Sequence, residues 1–173
     1  MYFRDQYRIP SARLQGFDYG SNGAYFITIC TKNREPYFGK IENEMMGLSQ
    51  IGCQVWTCWT AIPQFFPFVI LDEFVVMPDH VHGILFINKT KPNVETQNFA
   101  SLQNRKITNK FGPQSENLGS IVRGFKIGIT KFAREYNPHF AWQPRYHDRI
   151  IRDENELNRI RQYIKNNPKN RSG

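Results

Sequence analysis

Histidine is scarce in this 173-residue sequence, with four in all, and two of them stand one residue apart in FVVMPDHVHGILFI, at His80 and His82. Imidazole nitrogen is a common ligand for first-row divalent metals. On a strand, residues two apart point to the same face, so both rings can meet one cation while Val81 turns to the core. The same spacing would also suit two exposed strand histidines with no ligand role, and the pair by itself leaves both readings open. Asp79 either orients His80 or closes a turn, and beside Pro78 turn chemistry is the commoner use of an aspartate.

The elements that would carry such a pair can be read from the surrounding pattern. Runs 68–76 and 81–88 are rich in β-branched and aromatic residues, and Pro78 and Asp79 between them predict a hairpin. Residues 24–31 (AYFITICT) predict an earlier strand. Ile51, Val55, Trp59 and Ile62 recur at helical spacing and predict one helix over 49–64. Leu118, Ile121, Val122, Phe125, Ile129 and Phe132 predict a second. Residues 139–151 read as a short extended piece. A last helix begins at Asp153 or Glu154, carries Leu157, Ile160 and Ile164 as its apolar stripe, and stops at Pro168. This order predicts an α+β fold: a ferredoxin-like, RRM-like βαββαβ antiparallel sheet with helices on one face and an added C-terminal helix. Residues 89–117 are polar, hold Pro92 and Pro113, and predict a long mobile loop. Length and a 40% hydrophobic content suit a single domain, 1–173.

Twenty-three Lys and Arg against 15 Asp and Glu give a formal charge of +8, which favours polyanionic partners such as nucleic acid or an anionic membrane surface. The longest apolar stretch, PQFFPFVILDEFVVMP, is interrupted by Asp72 and Glu73 and bounded by prolines, so it predicts no membrane span. The N-terminus lacks the order of a secretion signal, and Cys30, Cys53 and Cys58 match no metal spacing. A reduced, cytoplasmic setting is expected, with Cys53 and Cys58 as small buried residues of a helix. No glycine-rich phosphate loop is present, so no nucleotide cofactor is expected.

Three strings together, TICTKNR, the Pro-Asp-His-x-His-Gly run and WQPRYHDRIIRDENELNRIRQYIKNNP, resemble the single-tyrosine HUH transposases, and most closely their REP-associated branch. The resemblance extends from residue 16 to 168. It implies that His80, His82 and a polar residue on the last helix, here Asn167, bind a divalent metal, Mg or Mn, and that Tyr163 one turn earlier is the nucleophile. Better-known members often carry Gln where Asn167 stands, and the position before Pro168 is also one that proline pushes out of helical geometry. Helical geometry is consistent with the assignment: at about 100° per residue, Tyr163 and Asn167 project roughly 40° apart, beside the apolar stripe rather than within it. The phenol can then edge the core with its hydroxyl reachable.

The implied reaction is transesterification of single-stranded DNA at hairpin or palindromic repeats, giving a 5′-phosphotyrosine and a free 3′-hydroxyl that rejoin without ATP. Arg123, Lys126, Lys131, Arg145, Arg149 and Arg152 are candidate phosphate contacts, and Tyr19, Tyr25 or Trp142 candidate base-stacking residues. His147 fits a surface role beside Arg145 and Arg149. The competing readings are a non-catalytic RRM-like nucleic-acid binding module and a hydrolytic metal nuclease in which Tyr163 is a bystander. Monomer and helix-exchanged homodimer are both compatible with the sequence.

Overall fold

A computed structural model describes residues 16–89 and 116–169. Strands β1 (Gly23–Cys30), β4 (Val69–Met77), β5 (His80–Ile87) and β6 (His147–Ile151) form one antiparallel sheet in the order β4-β5-β1-β6. Helix α1 (Gln50–Thr60) with the single turn α2 (Ile62–Phe65) lies between β1 and β4, α3 (Leu118–Tyr136) between β5 and β6, and α4 (Glu154–Asn166) after β6. This is the predicted α+β arrangement, a split βαβ with one helix added. Residues 90–115, most of the predicted loop, lie outside the described residues.

The sheet has two covered faces because the strands alternate. Tyr25, Ile27, Ile29, Val81 and Leu85 point to the larger cluster, where Ile51, Val55 and Trp59 of α1 meet Leu118, Ile121, Val122, Phe125 and Ile129 of α3. Ile84 and Ile151 point the other way, onto Leu157, Ile160 and Ile164 of α4, with Phe26 and Val75 packed beside them. Thus α1 and α3 share one face and the added helix takes the opposite one. Gly83 is what lets the sheet sit so close to α1: a Cβ there would lie 2.1 Å from Cζ2 of Trp59, whose indole is wholly buried.

Four departures from expectation have local causes. Strands β2 (Gly39–Glu42) and β3 (Met45–Leu48) pair as a small separate hairpin, turned by Asn43 and Glu44 with φ of 49° and 62°. The predicted 49–64 helix breaks at Ala61, the residue before the Ile62-Pro63 turn. The extended piece 139–151 narrows to β6, preceded by an isolated bridge from Trp142 to Thr31. Cys53 is exposed and Cys58 only half-buried, because both lie off the Ile51, Val55, Trp59 stripe.

Two local features fix α4. Its N-cap, Asp153, accepts a hydrogen bond from the Glu156 N–H at 2.8 Å, while Glu156 accepts from the Arg152 N–H at 3.0 Å. On β4 the pairing with β5 slips between Leu71 and Phe74, which places Asp72 and Glu73 together in a β-bulge.

Candidate active site

The site begins at the two-residue connection Pro78-Asp79 between β4 and β5. Its carbonyls are tied down: Thr31 donates from both its N–H and its hydroxyl to the Asp79 carbonyl at 2.9 and 3.0 Å, and the Phe38 N–H donates to that of Pro78 at 2.9 Å. The Asp79 side chain then does what turn chemistry alone would not require. One oxygen accepts from His80 Nδ1 at 2.6 Å, the other from Arg34 Nε at 2.7 Å. A carboxylate can only accept, so Nδ1 carries the proton and the Nε2 lone pair of His80 faces inward. Arg34, held with φ of 60° in a short turn after β1, also donates to Cys30 Sγ at 2.8 Å.

His82 is oriented by a different partner. Thr28 on β1 is its cross-strand neighbour, and the threonine hydroxyl lies 2.8 Å from His82 Nδ1. Phe26 stacks on the imidazole at 5.4 Å between centroids with 25° between planes. The two histidines are 3% and 6% exposed, and their Nε2 atoms face one another at 3.0 Å. Nitrogens bonded at about 2.1 Å and at right angles to one ion stand about 3.0 Å apart, so the pair fits a common cation. Among the described residues no third His, Cys, Asp or Glu joins the pair in a metal-binding group.

Tyr163 comes from α4 onto the same face. Its hydroxyl lies 3.3 Å from His82 Nε2, its ring stands edge-on to Phe26 at 6.2 Å, and the side chain is 47% exposed. The phenol therefore edges the core, about half exposed, with its oxygen at His82 of the histidine pair. Asn167 is 6% exposed and is the C-cap just past the end of α4, where it retains helical φ −59° and ψ −43° even before Pro168. Its N–H donates to the Ile164 carbonyl at 3.2 Å, and it follows Tyr163 by one turn on the helix that faces the site.

The other predicted residues are distributed differently. Arg123, Lys126 and Lys131 lie on α3, which covers the opposite face of the sheet. Lys126 is engaged internally: its ammonium donates to the Gln143 and Arg145 carbonyls at 3.0 and 2.6 Å over the Trp142 ring, and burial pushes it down to about 8. Arg149 is in register with Phe26 and His147 with Thr28, placing both on the site face, although Arg149 is paired with Glu156 at 2.6 Å. Arg145, with φ of 69°, and Arg152 are exposed at the two ends of β6. Tyr25 is wholly buried and donates to the Ser21 carbonyl, and Trp142 packs against the core, so neither offers a free stacking face; Tyr19 is half-buried against the same cluster. Thr28, Phe26 and Arg34 were not singled out from sequence. Only the strand register brings the first two to His82.

No protein-family model matches the chain. A Haemophilus influenzae protein, itself uncharacterized, is 47% identical over 162 residues, 91% of this chain and 87% of that one. The two proteins belong to one family. Among solved structures, a REP-associated tyrosine transposase bound to a REP hairpin superposes over 92% of this chain and 73% of its own, with a TM-score of 0.61 and 18% identity. The chain therefore has the fold of the REP-associated tyrosine transposases. A Deinococcus radiodurans protein provisionally described as a transposase aligns over 89% of this chain and 95% of its own at a TM-score of 0.47 and 18% identity, a likeness too loose to carry weight.

Proposed function

We propose that this protein is a metal-dependent single-stranded DNA endonuclease and strand transferase in which Tyr163 is the nucleophile. The observation that carries the reading is the meeting of Tyr163 Oη, His82 Nε2 and His80 Nε2 within 3.3 and 3.0 Å on one sheet face. His80 and His82, with the Asn167 amide oxygen as third ligand, would hold Mg or Mn. That ion, when bound, would offset charge on the scissile phosphate. Asp79 and Thr28 engage the Nδ1 atoms and so turn both Nε2 atoms toward the point where a cation would be held. Phe26 holds the phenol edge-on, and its exposure allows in-line approach to a phosphodiester. The new bond joins Tyr163 Oη to phosphorus as the bond to the 3′-oxygen breaks, leaving a 5′-phosphotyrosine and a 3′-hydroxyl. Reversal with another 3′ end rejoins the strand.

The fold shared with a transposase bound to a REP hairpin supports hairpin-forming single strands as the substrate class. The positive charge of +8 supports the same polyanion, with Arg149 on the site face and Arg145 and Arg152 at the two ends of β6 as phosphate contacts. Among the described residues no helix is long and apolar enough to cross a membrane. The test is incubation with labelled single-stranded hairpins and Mg or Mn, followed by denaturing electrophoresis. A protein-linked DNA band is expected, absent in Tyr163→Phe and in His80→Ala. Cleavage retained by Tyr163→Phe would identify a hydrolytic nuclease, and binding without cleavage a recognition module.

A further inference from the structure

The apolar stripe of α4 buries Leu157, Ile160 and Ile164 against Ile84 and Ile151, but burial is non-directional and would tolerate a helix displaced along its axis. One turn of slip is about 5.4 Å, enough to take the phenol away from the histidines. A directional contact is needed to set the register, and the β4 bulge supplies it. A regular strand sends consecutive side chains to opposite faces; at the bulge Asp72 and Glu73 both reach α4. Arg161 Nε lies 3.2 and 3.1 Å from the two Asp72 oxygens and Nη2 lies 2.5 Å from Oδ2, with Asp72 13% and Arg161 30% exposed. Lys165 Nζ lies 2.9 Å from Glu73 Oε1. These two cations stand two residues before and two after Tyr163.

We propose that the Asp72–Glu73 bulge is a positioning clamp which, through Arg161 and Lys165, sets the height and rotation of α4 and so the placement of the Tyr163 hydroxyl at His82. The Arg161 pair is the working half, because a forked, partly buried guanidinium–carboxylate contact is directional, whereas the more exposed Lys165 pair contributes little. Burial pushes the Asp72 carboxyl up, yet the Arg161 hydrogen bonds, the Glu73 N–H and the charges of Arg161 and Lys165 outweigh it and hold the carboxyl below its ordinary value. The role in strand transfer rests on Tyr163 being the nucleophile; the docking of α4 does not.

The test compares wild type with Asp72→Asn, Arg161→Gln and the charge-swapped double variant Asp72→Arg/Arg161→Asp. Two quantities are measured: the single-turnover rate of protein–DNA adduct formation at saturating hairpin with Mn, and hydrogen exchange of the α4 amides. Both single variants are expected to lower the adduct rate by on the order of 10- to 100-fold, the scale of a misplaced nucleophile, with hairpin affinity unchanged. Their α4 amides exchange faster, and the swapped variant recovers both quantities in part. Wild-type α4 exchange and adduct rate in the single variants would overturn the clamp. Slowed adduct formation that the swap does not begin to rescue, with α4 exchange unchanged, would also overturn it. If wild type forms no adduct, the nucleophile reading fails alone, and α4 exchange still decides whether the bulge docks the helix.

Discussion

Gly83→Ala is the sharpest perturbation of the frame beneath the site. The added methyl would sit 2.1 Å from Trp59 Cζ2, 2.4 Å from Cη2 and 3.0 Å from Cε2. The indole cannot swing away, being stacked on Phe74 at 5.6 Å and edge-on to Phe125 at 5.5 Å with no exposed surface. Relief must come from β5 moving off α1, an overpacking strain of about 2–3 kcal/mol. In a domain of this size that lowers Tm by roughly 5–10 °C. Urea denaturation of Gly83→Ala, Trp59→Phe and the double variant measures it. Phenylalanine lacks the outer indole atoms that the methyl strikes, so the double variant is expected to be more stable than the sum of the singles implies, by on the order of 1 kcal/mol. A single variant within about 0.5 kcal/mol of wild type, or strict additivity, would refute the reasoning.

The remaining predictions concern the site itself. Asp79→Ala removes the acceptor that fixes His80 and is expected to weaken Mn binding about 10- to 100-fold by calorimetric titration; an unchanged affinity would mean that Asp79 only closes the turn. Chelation should abolish the protein–DNA adduct and added Mn restore it, and adduct formation persisting in chelator would exclude the metal-assisted step. For Asp72 the folded-state carboxyl is lowered from 3.8, so the unfolded chain binds more protons near that pH and the contribution to stability is full above 3.8 and lost as pH falls through the lowered value. The gap in urea midpoint between wild type and Asp72→Asn is therefore expected to shrink in acid, and a gap independent of pH would contradict the pairing.

The parts of this fold that follow local periodicity were readable in the chain. The period of two along β5 put Val81 on one face of the sheet and His80 and His82 together on the other, and the β1 and α3 patterns needed no tertiary information. The β2–β3 hairpin escaped because its strands are four residues long and Asn43-Glu44 lacks the glycine that marks such turns. Asp72 and Glu73 were legible only as an interruption of an apolar run. Their meaning is set by Arg161, 89 residues away in the sequence from Asp72, and no local pattern carries a contact of that range. Thr28 and Arg34 were hidden for the same reason: each earns its role from a strand register or a turn that only the assembled sheet defines.

Tyr163 and His82 are 81 residues apart, and every strand of the sheet precedes α4 along the chain. Translation therefore delivers the imidazole pair well before the phenol. The sheet is built entirely from residues 23–151, so docking of α4 onto it is the step that brings the Tyr163 hydroxyl to the imidazoles. If Tyr163 is the nucleophile proposed above, a chain that stopped short of α4 would carry the histidine pair with nothing to attack a phosphodiester.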